Sequence, residues 1–388
     1  MEARSERTSA LGSPQAPTEP TVPGAAIGPG QRAMGSPVNL GIVPDFVWDF
    51  RDDLGRSDFG LREVELNFGG AIDPYFEAVL TVSYADDDGF DMEEAYISST
   101  YFPGELLGMN LMAQAGREFI PFGYLNRIHL HDFPQVDPPF VIEELTTDHG
   151  FIGNGAHLEW LAPLFNPTFS VSAGFYDSIE HSVGRRIEGR PAVLRLQSYW
   201  ESQDGNHGFL AGVSGLSGIG RTDGRRPETD YRTVGQTRHV IGADLRYRWS
   251  PTGEKRGLIS GTEFLRQAAK IHRRADADDL RDYQEDFSDG DRIRDLGFYA
   301  YSQYDFNPFY SAGYRFDYTD LLLSDGDADL YGHSLYGEYR PSEFSRLRLQ
   351  YQFRDGDNFI RSDRMASNEH RVLLQATFFL GWHPPHVF

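Results

Sequence analysis

The residues best suited to chemistry lie between Glu118 and Asp148. This stretch holds a His-x-His pair, His129 and His131, followed directly by Asp132. Imidazole and carboxylate groups bind divalent cations when several of them converge on one ion. The spacing fixes no third ligand, and histidines in loops more often form hydrogen bonds. We therefore expect no bound metal and no cofactor, and His129 and His131 are the candidate ligands if a metal does bind.

A nucleophilic site needs a hydroxyl group and an imidazole within hydrogen-bond reach. The chain offers two neighbouring pairs, His181 with Ser182 and His333 with Ser334. Adjacent residues of a strand point to opposite faces of a sheet, so neither pair brings its two groups together by itself. We expect a protein without enzymatic activity.

Strands must position these groups. From Leu40 onward, segments of about ten residues alternate in polarity, which is the two-residue period of a strand. In one late segment Leu347 and Leu349 fall on one face, while Arg346 and Arg348 fall on the other. The pattern predicts about sixteen strands. They lie near residues 40–51, 60–70, 74–85, 91–102, 109–118, 151–162, 167–178, 191–203, 206–218, 237–250, 256–270, 294–305, 308–319, 329–340, 344–355 and 369–381.

The strands favour a membrane barrel over a soluble sheet. They are about ten residues long, whereas strands of soluble sheets usually have about five or six. Short connections such as 163–167 alternate with long ones at 119–150, 219–236 and 271–293, as in barrels with tight periplasmic turns and longer outer loops. No stretch reaches the roughly eighteen apolar residues of a transmembrane helix. We predict an all-β fold, a porin-like transmembrane antiparallel β-barrel of about 16 strands over residues 39–388, with a large soluble β-sandwich or propeller as the alternative.

The 118–148 connection is too apolar for a solvated loop. Long connections in compact proteins are usually functional, and in a general porin one of them folds into the lumen and sets the constriction. We predict that role here, with packing over the barrel mouth as the alternative. The predicted constriction residues are Arg117, Arg127, His129, His131 and Asp132.

Alternation also predicts which charges face the lumen. Acidic residues lie on early strands and basic residues on later strands, so the two halves of the wall differ in sign. A transverse field of this kind orients dipolar solutes in a narrow pore; alternatively, the charges pair with one another across the lumen. The predicted wall residues are Glu63, Glu65 and Glu77 on the acidic side, and Arg246, Arg248, Arg315, Arg346, Arg348, Arg354 and Arg371 on the basic side.

Charge and composition exclude several classes of partner and site. The net charge of -22 argues against nucleic acid as a partner. The absence of cysteine excludes a disulfide framework and thiolate metal sites. Residues 1–38 are rich in Pro, Gly, Ala and Ser, which predicts a flexible N-terminal segment. Residues 1–34 contain no secretory signal, so either the chain starts downstream of a removed signal or the outer-membrane prediction is wrong.

One motif resembles a known family. Gly116 to Gly123 reads Gly-Arg-Glu-Phe-Ile-Pro-Phe-Gly, and Asn126-Arg127 and His129-Leu130-His131-Asp132 follow. This stretch is similar to the corresponding part of the phosphate-selective porin O/P family, as are Trp160 to Pro163 and, loosely, the strand order from Leu40 to Gly381. The resemblance implies a barrel of this strand number, often trimeric, that passes anions through a basic constriction.

Phosphate selectivity does not follow from the resemblance. The family relies on clustered basic side chains, and the loop region here offers only Arg117 and Arg127. Nearby acidic residues balance them, namely Glu118, Asp132, Asp137, Glu143, Glu144 and Asp148. We therefore expect a less specific channel.

The expected function is passive diffusion of small hydrophilic solutes or ions through a lumen narrowed by residues 118–148. The expected location is the outer membrane of a Gram-negative bacterium. Expected partners are outer-membrane lipid and lipopolysaccharide, the barrel assembly machinery, which the terminal Phe388 would suit, and further copies of the chain in a homotrimer. The alternatives are an occluded receptor or ligand-binding barrel, including one that handles a metal, and a soluble β-rich binding protein.

Overall fold

Sixteen antiparallel strands close into a barrel. The computed structural model describes residues 38–51, 56–86, 89–99, 110–146, 150–162, 166–181, 185–222, 231–232, 236–270, 272–273, 292–320, 329–356, 359–360, 363–364 and 368–382. The strands are β1 (Asn39–Arg51), β2 (Arg56–Ala71), β3 (Phe76–Ala85), β4 (Gly89–Ser99), β5 (Asn110–Phe119), β6 (Ile152–Ala162), β7 (Thr168–His181), β8 (Arg185–Glu201), β9 (His207–Thr222), β10 (Gln236–Trp249), β11 (Gly257–Lys270), β12 (Arg292–Asp305), β13 (Tyr310–Asp320), β14 (Asp329–Ser342), β15 (Ser345–Gly356) and β16 (Asn368–Phe378, continued by Leu380–Gly381).

Each strand pairs with its neighbours in sequence, and β1 closes the barrel by pairing with β16 from Asp45 opposite Thr377 to Arg51 opposite Arg371. Closure pairs the backbone N–H and C=O groups at the edges of the first and last strands. Such groups must be paired within the protein when they face hydrocarbon. Two small hairpins add to the connections, Tyr231–Arg232 with His272–Arg273 and Phe359–Ile360 with Asp363–Arg364.

The predicted alternation is confirmed in the wall. Leu335 and Leu349 are 60% and 56% exposed, whereas Ser334 and Gln350 on the opposite face are completely buried. An apolar outer face and a polar inner face are what a membrane barrel presents. Exposed aromatic rings gather around the turns at one end, where Tyr310 stacks on Tyr339 with ring centroids 4.9 Å apart.

All sixteen predicted strands are present, and their ends differ by a few residues. The largest difference is at β8, which begins at Arg185 rather than near residue 191. There the alternation is interrupted, because the pairing with β9 shifts between Glu188 and Ala192 and Arg190 has a positive φ of 63°. The predicted flexible segment 1–38 (except Val38) and the terminal Phe388 lie outside the described residues.

Helical structure among the described residues is confined to the connection between β5 and β6. It comprises two 3₁₀ turns, Leu125–Arg127 and Leu130–Asp132, and one α-helix, Phe140–Leu145. None of the described helices is long and apolar enough to cross a bilayer.

We expect the outer face to tolerate charge poorly. Leu335 lies in the middle of β14, so the Leu335→Arg substitution should lower the free energy of unfolding in lipid vesicles by about 2–4 kcal/mol. The matched control is Phe306→Arg in a turn, where the residue is 57% exposed and the cost should be about 0–1 kcal/mol. Equal losses in a urea titration would contradict a lipid-facing surface at Leu335.

Candidate functional site

The β5–β6 segment, residues 120–146, contacts strands on opposite sides of the barrel. The amide of Gly123 donates a hydrogen bond to Ser214 Oγ on β9 at 3.0 Å. Further along, Arg62 on β2 donates to the carbonyl of Val136 at 2.5 Å. β2 and β9 lie nearly half a circumference apart in a closed barrel of sixteen strands, so the segment bonds to strands on distant parts of the wall.

An apolar cluster holds the first part of the segment. Ile120, Phe122 and Leu125 are at most 1% exposed and pack with apolar side chains on the inner faces of β7 to β12. Burying such side chains stabilises each by about 1.5–3 kcal/mol. The wall members of the cluster are Tyr176, Ile179, Ile187, Val193, Leu216, Val240, Leu265, Tyr299 and Tyr301.

Gly123 occupies a position that favours glycine. Its φ is +61°, and a Cβ atom built on it would lie 2.7 Å from Oε1 of Glu263. The same carboxylate accepts hydrogen bonds from the amides of Tyr124 and Leu125 and, at 2.8 Å, from the hydroxyl of Tyr299. Glu263 on β11 thus fixes the turn at the start of the segment.

In the second half of the β5–β6 segment, Asp137 bonds to several polar side chains of the wall. Its carboxylate accepts hydrogen bonds from Gln350 at 2.5 Å, Gln352 at 2.7 Å and Arg315 at 3.1 Å. Burial alone would raise the pKa of Asp137, but the guanidinium groups of Arg315, Arg371 and Arg354 outweigh it and lower the pKa below its usual range. Asp137 therefore stays ionised and anchors the segment to β13 and β15.

Arg346 and Arg348 hold the middle of the segment. Arg348 donates to the carbonyl of Gln135 at 2.8 Å and to Glu338 at 2.9 Å, and its guanidinium is 1% exposed. Arg346 donates to the carbonyl of His131 and to Asp132 at 3.2 Å. Both predicted wall residues thus bond to the segment.

His129 and His131 face carboxylates on β2 and β4. Nδ1 of His129 lies 2.9 Å from Glu93 Oε2 and 3.0 Å from Glu65 Oε2, and its Nε2 lies 3.2 Å from Glu94 Oε2. Nδ1 of His131 lies 3.1 Å from Glu63 Oε1. The two rings stack with centroids 5.8 Å apart.

The carboxylates favour the charged form of both imidazoles. Burial disfavours protonation, but the charges of Glu65 and Asp132 outweigh it and raise the pKa of His131 to about 10. Burial is likewise outweighed at His129, where Glu65, Glu93 and Glu94 raise the pKa well above its usual value.

The sequence pattern did not indicate Glu93 and Glu94 as site residues, because a β-bulge interrupts the alternation on β4. On β4 the pairing shifts so that Glu94 opposes Thr81 and Met92 opposes Val82, which leaves Glu93 as the extra residue. Both glutamates are buried and reach His129. A bulge re-aims one side chain in this way. The only signal in the sequence was the Glu-Glu doublet itself.

The remaining predicted wall residues are mostly paired. Arg371 donates to Asp49 at 2.7 Å, and Arg248 donates to Glu201 at 3.0 Å. The guanidinium groups of Arg354 and Arg246 lie over the rings of Phe140 and Tyr124, 4.8 and 4.7 Å from the centroids. Glu77 accepts a hydrogen bond from Ser98 at 3.1 Å.

Carboxylates that the prediction omitted lie among the predicted basic residues. Asp317 is 2.6 Å from Arg315, and Glu338 is 2.9 Å from Arg348. Carboxylates on the same strands therefore largely neutralise the charge of the basic half of the wall. The transverse field across the lumen stays a prediction.

The two arginines of the resembling motif, Arg117 and Arg127, have different surroundings. Arg117 donates to the carbonyl of Met92 and lies 3.8 Å from Asp91 on β4. Arg127 ends the first 3₁₀ turn and is half-buried. Asp148 and the side chain of Glu144 lie outside the described residues.

We expect Asp137 to contribute to stability through its charge. The Asp137→Asn substitution should lower the free energy of unfolding at pH 7 by about 3–5 kcal/mol, since it removes one of the two carboxylates that compensate the buried charge of Arg315. Because the pKa of Asp137 is lower in the folded than in the unfolded state, its contribution is complete above about pH 4 and is lost as the pH falls through the folded value.

Denaturant titrations between pH 2 and pH 7 measure this effect. The exposed control, Asp86→Asn, should change stability by less than about 0.5 kcal/mol. An acid-induced loss that is as steep in Asp137→Asn as in the unmodified chain would rule out this role.

Comparison with known proteins places the fold. No family model matches the chain, so the resemblance to the phosphate-selective porin O/P family stays a prediction. A protein of Aquifex aeolicus (strain VF5), described as uncharacterized, is 24% identical over 355 residues, which cover 86% of this chain and 71% of that protein.

Solved porin structures share the architecture. An anion-selective porin from Comamonas acidovorans aligns with a TM-score of 0.56 at 12% identity, over 88% of this chain and 98% of that chain. The trimer form of OmpT, an outer membrane protein of Vibrio cholerae, aligns with a TM-score of 0.56 at 11% identity, over 89% and 99%. At these identities the likeness concerns the fold, and the fold of this chain is that of a porin-like barrel of sixteen antiparallel strands.

Proposed function

We propose that the chain is an outer-membrane channel of a Gram-negative bacterium, through which small hydrophilic solutes or ions diffuse. The observation that carries the proposal is the β5–β6 segment, which bonds to the inner faces of β2, β9, β13 and β15. A barrel with a polar inner wall supplies a water-filled path, and a segment across that path limits the size of what passes.

The narrow zone lies where the segment meets the wall. Arg315 and Gln350 are completely buried although they face the interior, so the lumen is filled beside them. Towards the end that carries the short turns, ion pairs on the inner face remain partly exposed. These are Arg248 with Glu201 at 3.0 Å and Arg340 with Asp305 at 3.0 Å. A solute would therefore meet a charged vestibule of mixed sign before the narrow zone.

The mixed charge supports a channel without phosphate selectivity. Anion selectivity belongs by description to the Comamonas porin. Here the buried arginines at the segment bond to carboxylates or carbonyls, as Arg315 does with Asp137 and Asp317. Paired guanidinium groups attract a free anion less strongly than unpaired ones.

The outer surface supports the proposed partners. Its exposed apolar band fits outer-membrane lipid, with lipopolysaccharide at the outer rim, and insertion would need the barrel assembly machinery. A homotrimer is proposed by analogy with the trimer form of the Vibrio protein.

A second function is favoured by the extent of burial. Wall residues on both sides of the segment are almost inaccessible, such as Arg195 at 2% and Thr377 at 0%. A barrel sealed by its own segment would act as an occluded receptor or ligand-binding protein.

Planar bilayer recordings separate the two functions. Purified, detergent-refolded protein should produce stepwise conductance, with steps smaller than those of a sixteen-strand porin that has an open lumen. The Asp137→Ala variant removes bonds to β13 and β15, so its steps should be larger or should fluctuate more. The control is Asp86→Ala, an exposed aspartate in a connection. A folded barrel without conductance in any of these forms would favour the sealed receptor.

Reversal potentials measure the contribution of the basic wall. Arg346→Ala and Arg348→Ala remove positive charge beside the segment, so each should shift the permeability ratio towards cations. Lys255→Ala in an exposed turn serves as the control and should leave the ratio almost unchanged. Identical ratios in all three variants would show that these arginines act only in holding the segment.

A further inference from the structure

The chain contains an unusual group of buried ligand atoms where the β5–β6 segment meets β2 and β4. Glu63, Glu65 and His131 form one set of three, and Glu65, Glu93 and His129 form another. Within each set the ligand atoms lie within 4.8 Å of one another, and every residue is buried. Glu65 belongs to both sets.

The spacing of these atoms matches that of ligands around one ion. Glu65 Oε2 and Glu93 Oε2 lie 3.0 and 2.9 Å from Nδ1 of His129, and Nδ1 of His131 lies 3.5 Å from the same Glu65 oxygen. Ligands bound to a transition metal at about 2.0–2.2 Å lie about 3–3.5 Å from each other. Little rearrangement is therefore needed to bind an ion.

Hydrogen bonding alone does not account for Glu65. Its Oε1 accepts a hydrogen bond from Asn67 at 2.6 Å, but its Oε2 is buried and accepts none among the described residues. Nδ1 of His129 carries at most one hydrogen, and its hydrogen bond goes to Glu93 Oε2. Leaving a buried carboxylate oxygen without a hydrogen-bond partner is unfavourable. A cation between the oxygen and the imidazoles would remove that cost.

The charge balance points the same way. Five carboxylates, those of Glu63, Glu65, Glu93, Glu94 and Asp132, lie within 3.3 Å of an imidazole nitrogen. Imidazoles that bind a metal are neutral, so among these groups only Arg346, which pairs with Asp132, offsets the five carboxylates and four negative charges remain. Uncompensated buried charge is strongly unfavourable, and a divalent cation would offset two of these four charges.

We propose that Glu65, Glu93 and His129, together with Glu63 and His131, bind a divalent first-row transition metal ion inside the barrel. Imidazole nitrogen with carboxylate oxygen suits Zn²⁺, Co²⁺ or Mn²⁺, whereas Ca²⁺ prefers oxygen ligands alone. The shared position of Glu65 allows it to bridge two ions. The ion joins the segment to β2 and β4, so the site is independent of whether the lumen conducts.

Metal titration of the full detergent-folded chain tests the proposal. After chelator treatment, Zn²⁺ should bind stoichiometrically in a calorimetric titration and should raise the unfolding temperature. The Glu65→Gln variant should bind Zn²⁺ about 100-fold more weakly or worse, since it loses the shared ligand. The matched control is Glu159→Gln, which alters a buried inward carboxylate on β6 that bonds to Ser172. It should bind Zn²⁺ like the unmodified chain.

Co²⁺ absorption provides a readout that does not depend on a variant folding. The unmodified chain should develop d–d bands of nitrogen and oxygen coordination, and Zn²⁺ should displace them. Absence of these bands in the folded, unmodified chain would overturn the proposal. Equal Zn²⁺ affinity in Glu65→Gln and Glu159→Gln would also overturn it, because binding would then come from histidines elsewhere.

Discussion

The whole structure depends on one constraint: backbone polar groups that face hydrocarbon must be paired within the protein. The chain meets it by pairing β1 with β16, which leaves the barrel without an open edge. Once the wall is closed, the pleat sends alternate side chains outward to lipid and inward to the lumen. The inner face therefore collects the polar residues of sixteen strands, and their pairing determines what the interior can contain.

The interior satisfies its polar groups by using the β5–β6 segment as a second partner. Arg315 and Arg348 are almost fully buried, and each bonds both to a carboxylate of the wall and to the segment. Breaking one such pair is costly because it leaves a charge without compensation. The position of the segment is thus set by electrostatics on the β13 to β15 side and by apolar packing on the β7 to β12 side. The cluster around Glu65 differs from these pairs because acidic groups outnumber basic ones there.

The strands were predictable from the sequence because a wall that faces lipid on one side imposes a strict two-residue period. The interior was harder to predict for reasons that particular residues illustrate. Glu93 faces inward only because a bulge adds one residue to β4, which breaks the period. Gln350 and Gln352 carry no charge and were not among the predicted wall residues, yet both bond to Asp137. Asp317 lies on the same face as Arg315. Its carboxylate largely neutralises the positive charge of that arginine, which taken alone predicts a basic wall.

The partners of Asp137 also have a consequence for assembly. Arg315, Gln350 and Gln352 follow it by 178, 213 and 215 positions in the chain. Contacts between such distant positions form slowly, because a long loop must close before they contribute any stability. Docking of the β5–β6 segment through Asp137 needs β13 and β15 in the wall, so it comes late in the formation of the barrel.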